Sequence, residues 1–335
     1  MSGRDNPEFR KDLVSGEWVL VAVGRRKRPI FKTGAKCPFD DPQKNGNPFP
    51  LLWFPHPQTP TSEMEDFNSW FVQVIPNKYP LLSRQKECPA PKREGAQERL
   101  WAVGYHEVII TRDHLKTIDK MSQEETQLVL KAYKERYRVL AKDGCIKYIL
   151  IFHNQGRTAG ASVAHPHSQL VALPVIDPDV SRSLKGSFNF YKKNKKCVHC
   201  VMIDKATKDK SRIVNKNKHF VTLVPFAPKA SYETRIYPLA HASRFEDLDK
   251  ELFPYLADAL RDALSRINKV LNNPDYNFFI HTAPVGDNTK HYHWHIEILP
   301  RDFEWAGFEL GGGIEIISIS PEEAALSLRE AKIKP

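Results

Sequence analysis

Residues 161–174 read ASVAHPHSQLVALP and set His165, His167 and Gln169 at alternate positions. On a strand, side chains two apart share a face, so the three would line one surface. A neutral imidazole can attack phosphorus when one ring nitrogen keeps its lone pair. The proton on the other must then be held by an acceptor, often a backbone carbonyl. Covalent catalysis of this kind splits a phosphoryl-type transfer into two easier displacements. An amide two residues on can donate to the phosphoryl oxygens. Upstream, HNQGRTAGAS (153–162) brings Gly156 and Gly160, which permit positive φ and close backbone approach. The N–H groups of such a turn, through Gly160 and Ala161, can cradle a phosphate. Asn154 and Ser162 add side-chain hydrogen bonds. Pro166 removes a ladder donor, which favours an edge or bulged strand with room for a ligand. These residues make His167 the candidate nucleophile, with Gln169 and Ser162 beside it.

Other residues have metal-ligand chemistry. Cys197-x-x-Cys200 has a spacing that suits tetrahedral zinc, and His241 with one histidine of HYHWH (291–295) would complete the set. Repeat logic selects His293 over His291 and His295. The first half offers Cys37, Asp40, His114 and His165, a harder and weaker set because a carboxylate replaces a thiolate. The competing readings are two free thiols in a turn, and a degenerate first site held by hydrogen bonds. His165 is then either a ligand or a residue that buttresses the active loop. His281, His295 and Glu297 are either a further metal set or a polar strand face. Zinc in one or two sites would be structural, since the nucleophile is an imidazole of the chain, and no organic cofactor is implied.

These groups must be positioned by a repeated unit. CPFD (37–40) answers CVHC (197–200), FVQVIPNKYP (71–80) answers FVTLVPFAP (220–228), and YHEVIITRDH (105–114) answers YETRIYPLAH (232–241). A helix follows in each half. Ser122 with Glu125 and Ser243 with Glu246 read as capping boxes, and the apolar stripes Val129–Tyr133–Tyr137–Leu140 and Leu252–Leu256–Leu260–Leu264–Ile267–Leu271 have helical spacing. Then come KYILIFHNQG (147–156) and DYNFFIHTAP (275–284), both strand-like. HPHSQLVALP (165–174) and HYHWHIEILP (291–300) close the halves. Aligned without a gap, His165 meets His291, His167 meets His293 and Gln169 meets His295. The expectation is an α+β fold of two halves, 1–178 and 179–335, each mostly antiparallel sheet with one main helix. The polar segment 175–196 would be the connection.

Composition sets outer bounds. A chain of 335 residues with 41% apolar content has enough material for two packed units. No apolar run approaches the roughly 18 residues of a membrane span, and the N-terminal residues show no secretory pattern. Five cysteines with one close pair argue against a disulfide framework and for a reducing, cytoplasmic location. Cys88 and Cys145 receive no role. The net charge of +10 fits anionic substrates. No nucleic-acid-binding motif surrounds the basic runs 24–29 and 192–200.

NQGRTAGASVAHPHSQ resembles the active-site signature of the galactose-1-phosphate uridylyltransferase family, a branch of the histidine-triad superfamily built from two histidine-triad-like halves. The similarity extends from FRKDLVSGEWVLVAVGRRKRP through VIPNKYPLLS and GYHEVIITRDH to AGFELGGG (306–313). It implies that His167 becomes a nucleotidyl-histidine, that Gln169 contacts the transferred phosphoryl group, and that Asn154 and Ser162 contact phosphate. Arg25 and Arg28 fall where the family places arginines near the nucleotide sugar. Asn77 and Lys78 fall where it holds ribose and base. Phe308 and Glu309 fall in a segment that reaches the hexose of a neighbouring subunit's site, which implies a homodimer. The family often has Cys-x-x-Cys where this chain has CPFD. It often has glycine where Ser168 stands, a change expected to alter the space around the phosphoryl group. The implied reaction is ping-pong uridylyl transfer from UDP-glucose to galactose 1-phosphate. One alternative is an ADP-sugar or dinucleotide phosphorylase of the same fold, and a farther one is a non-enzymatic nucleotide-binding module. HYHWH makes His293 the rival nucleophile, ranked second because no glycine loop precedes it.

Overall fold

The computed structural model describes residues 6–23, 36–84, 87–287, 289–301 and 306–333. Arg25 and Arg28 lie outside the described residues. The strands in chain order are β1 (Glu8–Lys11), β2 (Trp18–Val21), β3 (Leu52–Pro55), β4 (Trp70–Pro76), β5 (Lys92–Glu94), β6 (Gln97–Trp101) and β7 (Tyr105–Thr111). They continue with β8 (Tyr148–Gln155), β9 (His167–Leu173), β10 (Ile213–Lys216), β11 (Phe220–Leu223), β12 (Thr234–Pro238), β13 (Tyr276–His281) and β14 (His295–Pro300). The α-helices are α1 (Gln123–Leu140), α2 (Pro178–Asn194), α3 (Val198–Asp209), α4 (Phe253–Val270), α5 (Gly307–Gly312) and α6 (Pro321–Glu330).

Ten strands form one sheet in the order β10-β11-β12-β14-β13-β8-β9-β7-β4-β3, and every pairing is antiparallel. Outward from its centre, one side reads β8-β9-β7-β4-β3 and the other β13-β14-β12-β11-β10. These are the same order of equivalent strands, joined where β8 pairs with β13 from Tyr276↔Gln155 to Ile280↔Ile151. The fold is therefore α+β with repeated, mostly antiparallel halves.

Helices α1 and α4 lie side by side on one face of this sheet and enclose the main core. Tyr133, Tyr137, Leu256, Leu260 and Leu264 are buried there. Each Leu contributes about 1.5–3 kcal/mol by leaving water. Strand β9 alternates accordingly. Leu170 and Ala172 enter the helix-side core, whereas Val171 packs with Phe9 and Leu100 of a second sheet, ordered β2-β1-β6-β5. This small sheet covers the far end of β9 and leaves the His167 end uncovered.

The structure changes several expectations. Ser122 and Glu125 do form a reciprocal capping box on α1. Ser243 and Glu246 do not cap α4, which begins at Phe253 with Pro254 in its first turn, where fixed φ and a missing N–H are tolerated. Glu246 sits instead in a 3-10 turn over Phe245–Asp247. Segment 175–196 is largely helix. Asp177 accepts from Val180 N and Pro178 opens α2, a start and stop that its Ser- and Lys-rich composition concealed. Cys197 is the N-cap of α3, so CVHC enters a helix instead of a turn. Strand β9 is central, not an edge: Pro166 precedes its first paired residue, where no ladder donor is needed. Cys88 and Cys145, 57 residues apart, form a disulfide that spacing did not suggest, because the chain brings the turn after α1 against the loop after residue 86. Among the described residues no helix is long and apolar enough to cross a membrane.

Candidate functional site

At the uncovered end of β9, His167 and Gln169 face a cleft of about 280 Å³, with Phe39, Asn77, Lys78 and Ser162 among its other lining residues. His167 is mostly buried, and its Nδ1 lies 2.8 Å from the carbonyl oxygen of His165. A carbonyl only accepts, so Nδ1 carries the proton and the lone pair is left on Nε2. Phe39 packs edge-on against the imidazole, with ring centroids 5.1 Å apart. Gln169 Oε1 lies 2.9 Å from His106 Nε2, and Asn77 N donates to the His106 carbonyl (2.8 Å). His106 carried little signal in the sequence beyond its even spacing with Val108 on a strand beside β9.

The glycine loop is held from the opposite half. Gly156 and Gly160 adopt φ of +84° and +87°. Thr158 donates through N and Oγ1 to Asp275 Oδ2, at 2.7 and 2.6 Å. Asn277 Nδ2 donates to Asn154 Oδ1 and to the Ala159 carbonyl, both at 2.8 Å, while Arg301 Nε donates to Asn277 Oδ1 at 2.7 Å. Asn154 thus braces the loop. The N–H groups of Gly160 and Ala161 donate to Arg157 and Gly156 carbonyls within it (both 3.0 Å), and neither residue lines the cleft. Ser162 is the loop residue that the fold brings there with Val163. Asp275 and Asn277 carried no signal in the sequence, because their loop partners are more than a hundred residues away, and Arg301 reaches the loop only through Asn277.

Ser168 points to the other face of β9. Its Oγ meets the Tyr133 hydroxyl and lies 3.0 Å from His153 Nδ1, so it leaves the space at the phosphoryl position unchanged. Burial holds His153 down to about 3, a neutral ring at any physiological pH. Phe308 and Glu309 lie on α5. Phe308 is exposed, Glu309 accepts from Ala306 N, and neither lines the cleft.

Two four-residue clusters have the donors expected from sequence: Cys197, Cys200, His241 and His293, and Cys37, Asp40, His114 and His165. With Zn–N of about 2.0 Å and Zn–S of about 2.3 Å, tetrahedral ligand atoms stand roughly 3.3–3.8 Å apart. Cys200 Sγ is 3.3 Å from His241 Nδ1 and 3.5 Å from His293 Nδ1, and Cys37 Sγ is 3.7 Å from His165 Nδ1. Those spacings fit. The 2.6 Å between His114 Nδ1 and Asp40 Oδ1 is a hydrogen-bond length and marks the first set as the looser fit. Burial pushes the Cys200 thiol up to about 12, so a cation is what would favour its thiolate. His281, His295 and Glu297 form a third, buried group.

The clusters also correct the alignment of the halves. His165 and His293 occupy matching places in the two sets, and His295 Nδ1 lies 3.2 Å from the His293 carbonyl, as His167 Nδ1 does from that of His165. The true register matches His167 with His295 and Gln169 with Glu297, two residues away from the ungapped reading. His293, the rival nucleophile, belongs with the cysteines.

The family profile "Galactose-1-phosphate uridyl transferase, N-terminal domain" matches residues 2–177, and "HIT domain" matches 206–304. ADP-glucose phosphorylase of Arabidopsis thaliana is 34% identical over 98% of this chain and 94% of its own. Galactose-1-phosphate uridylyltransferase of Thermotoga maritima is 28% identical over 98% and 99%. A solved structure of a uridylyltransferase superposes with a TM-score of 0.80 at 32% identity, covering 97% of this chain and 98% of that one.

Proposed function

The chain belongs to the galactose-1-phosphate uridylyltransferase family of nucleotidyltransferases, and from that premise we propose that His167 cleaves a nucleoside diphosphate hexose through a nucleotidyl-histidine. The observation that carries the reading is the Nδ1 contact of His167 to the His165 carbonyl, which leaves the lone pair on Nε2 in a cleft shared with Gln169. Nε2 attacks the α-phosphorus, the bond from that phosphorus to the bridging oxygen breaks, and hexose 1-phosphate departs with the electron pair. An acceptor phosphate oxygen then attacks the same phosphorus and the P–Nε2 bond breaks, restoring the imidazole. The His165 carbonyl stabilises the cationic ring of the intermediate. Gln169 and Ser162 donate to the phosphoryl oxygens, where charge develops. Asn77 and Lys78 hold the nucleoside side. Arg25 and Arg28 counter the phosphate charge, a role that rests on the family resemblance.

For the nucleotide, ADP-glucose with inorganic phosphate as acceptor is the reading we place first, because the ADP-glucose phosphorylase relative is 34% identical against 28% for the Thermotoga uridylyltransferase. The UDP-glucose and galactose 1-phosphate reading stands second, supported by the TM-score of 0.80 to a uridylyltransferase. The two cysteine-histidine clusters would hold structural zinc, which would tie the loops preceding β9 and β14 to their neighbours. A homodimer, with α5 completing the neighbour's hexose site, completes the proposal.

The test is intact-mass measurement after separate incubation with ADP-glucose and UDP-glucose. The expected result is a gain of one AMP with release of glucose 1-phosphate, lost in His167→Ala. A UMP adduct alone would transfer the assignment to the second reading. No adduct from either sugar nucleotide overturns the covalent mechanism.

A further inference from the structure

We propose that His106 is a positioning residue that sets which end of the Gln169 amide faces the reacting phosphorus; this rests on the reading of His167 and Gln169 given above. His106 lies on β7, where Val108 pairs with Gln169 and His106 with Val171, so its ring reaches Gln169 diagonally across the strands. It is 4% exposed. Its tautomer is fixed by its neighbours. Leu81 N, a backbone group that only donates, points at Nδ1 from 3.1 Å, so Nδ1 accepts. In a neutral ring the proton then sits on Nε2, which lies 2.9 Å from the Gln169 side-chain oxygen. That contact is satisfied only with the Gln169 carbonyl turned toward His106. The Gln169 NH₂ is thereby turned to the cleft, the orientation needed to donate to a phosphoryl oxygen. The reversed amide would set two donors against each other.

Asn77 Nδ2 also lies 3.0 Å from His106 Nε2, but the sense of its amide is set by Tyr79 N, which donates to Asn77 Oδ1 at 2.8 Å, so the effect of His106 runs through Gln169.

The test is a double-mutant cycle on single-turnover adduct formation, read by intact mass. Gln169→Ala is expected to slow formation by about 100-fold and His106→Ala by about tenfold, given the usual cost of losing one transition-state donor. The double variant should be no slower than Gln169→Ala, because His106 acts through Gln169. A structural role for His106 would instead make the losses multiply, and that result overturns the inference. An isosteric pair guards against loss of folding. His106→Gln, whose amide can still donate, should retain most of the rate. His106→Glu, whose carboxylate only accepts, should lose it at equal melting temperature. Equal rates in that pair also refute the proposal. If the wild-type protein forms no adduct, the reading of His167 fails first and this inference falls with it; an adduct with a multiplicative cycle sinks the inference alone.

Discussion

Gly156 tests how the second half shapes the loop of the first. It sits at φ +84°, and a Cβ there would lie 1.7 Å from Asp275 Oδ1. Gly156→Ala therefore carries two costs. The left-handed backbone disfavours alanine by about 1–2 kcal/mol. The methyl also expels the Asp275 carboxylate, breaking its bonds from Thr158 N and Oγ1 at 2.7 and 2.6 Å. Each such bond to a charged group contributes about 1.5–3 kcal/mol when shielded. These are solvent-accessible, so about 1 kcal/mol each is the better figure. The sum is about 3–4 kcal/mol on loop order, whereas Asp275→Ala loses only the roughly 2 kcal/mol of hydrogen bonding. Both variants are expected to slow adduct formation, Gly156→Ala more than Asp275→Ala, with each 1.4 kcal/mol worth about tenfold. The double variant should resemble Gly156→Ala alone, because the first substitution has already displaced the carboxylate. The assay is single-turnover nucleotidylation with melting followed in parallel. Full additivity of the two losses, or an unchanged rate in Gly156→Ala, would refute the reasoning.

Three further outcomes concern other side chains. Ser168→Gly leaves the Tyr133 hydroxyl and His153 Nδ1 without this partner; it should cost about 1–3 kcal/mol in urea unfolding while the adduct rate per folded molecule stays the same. Burial pushes Glu246 up to about 7. The unfolded chain ionises this carboxyl from about pH 4.5 while the folded state keeps the proton to about 7. Its contribution to stability is then fully present below about pH 4.5 and lost as pH rises toward 7, so Glu246→Gln should gain about 3 kcal/mol at pH 8 and almost nothing at pH 4. Chemical denaturation at the two pH values decides this, and an equal effect at both would refute it. Cys200→Ser should remove about one zinc per chain by elemental analysis, and Asp40→Ala a second, which in the wild-type protein should yield to a weaker chelator.

The candidate site was legible in the sequence because its residues are local. His165, His167 and Gln169 lie within five residues, and strand alternation alone places the last two on one face. The first helix was legible for a similar reason, since Ser122, Glu125 and the stripe through Tyr137 report within a few turns. What escaped depends on long-range contact. Asp275 reaches Thr158 across 117 residues, and Cys88 reaches Cys145 across 57. The carbonyl-to-NH₂ sense of Gln169 depends on Leu81 and His106, neither of which marks itself in composition. The two-residue error in aligning the halves had a different origin. HPHSQ and HYHWH share the His-x-His pattern, but HYHWH has a third histidine, and only cluster geometry says which pair corresponds.

That corrected alignment sets two equivalent histidines in different surroundings. His295 repeats the local geometry of His167, down to the Nδ1 contact with the carbonyl two residues earlier. Its surroundings differ. Tyr237 stacks on the His295 ring at 4.8 Å, His199 of α3 lies 5.6 Å away, and His281 stands at right angles at 5.3 Å. Glu297, in the place of Gln169, is buried against Arg235 at 3.0 Å. An anionic substrate would find the position beside His295 filled by rings, and a carboxylate where an amide donor is needed. The side chain that closes this space from above, His199, comes from α3. Ser187 of α2, in the polar segment that read as a connection, lies 3.4 Å from His199 Nε2, so the helical folding of that segment helps seat the ring beside His295.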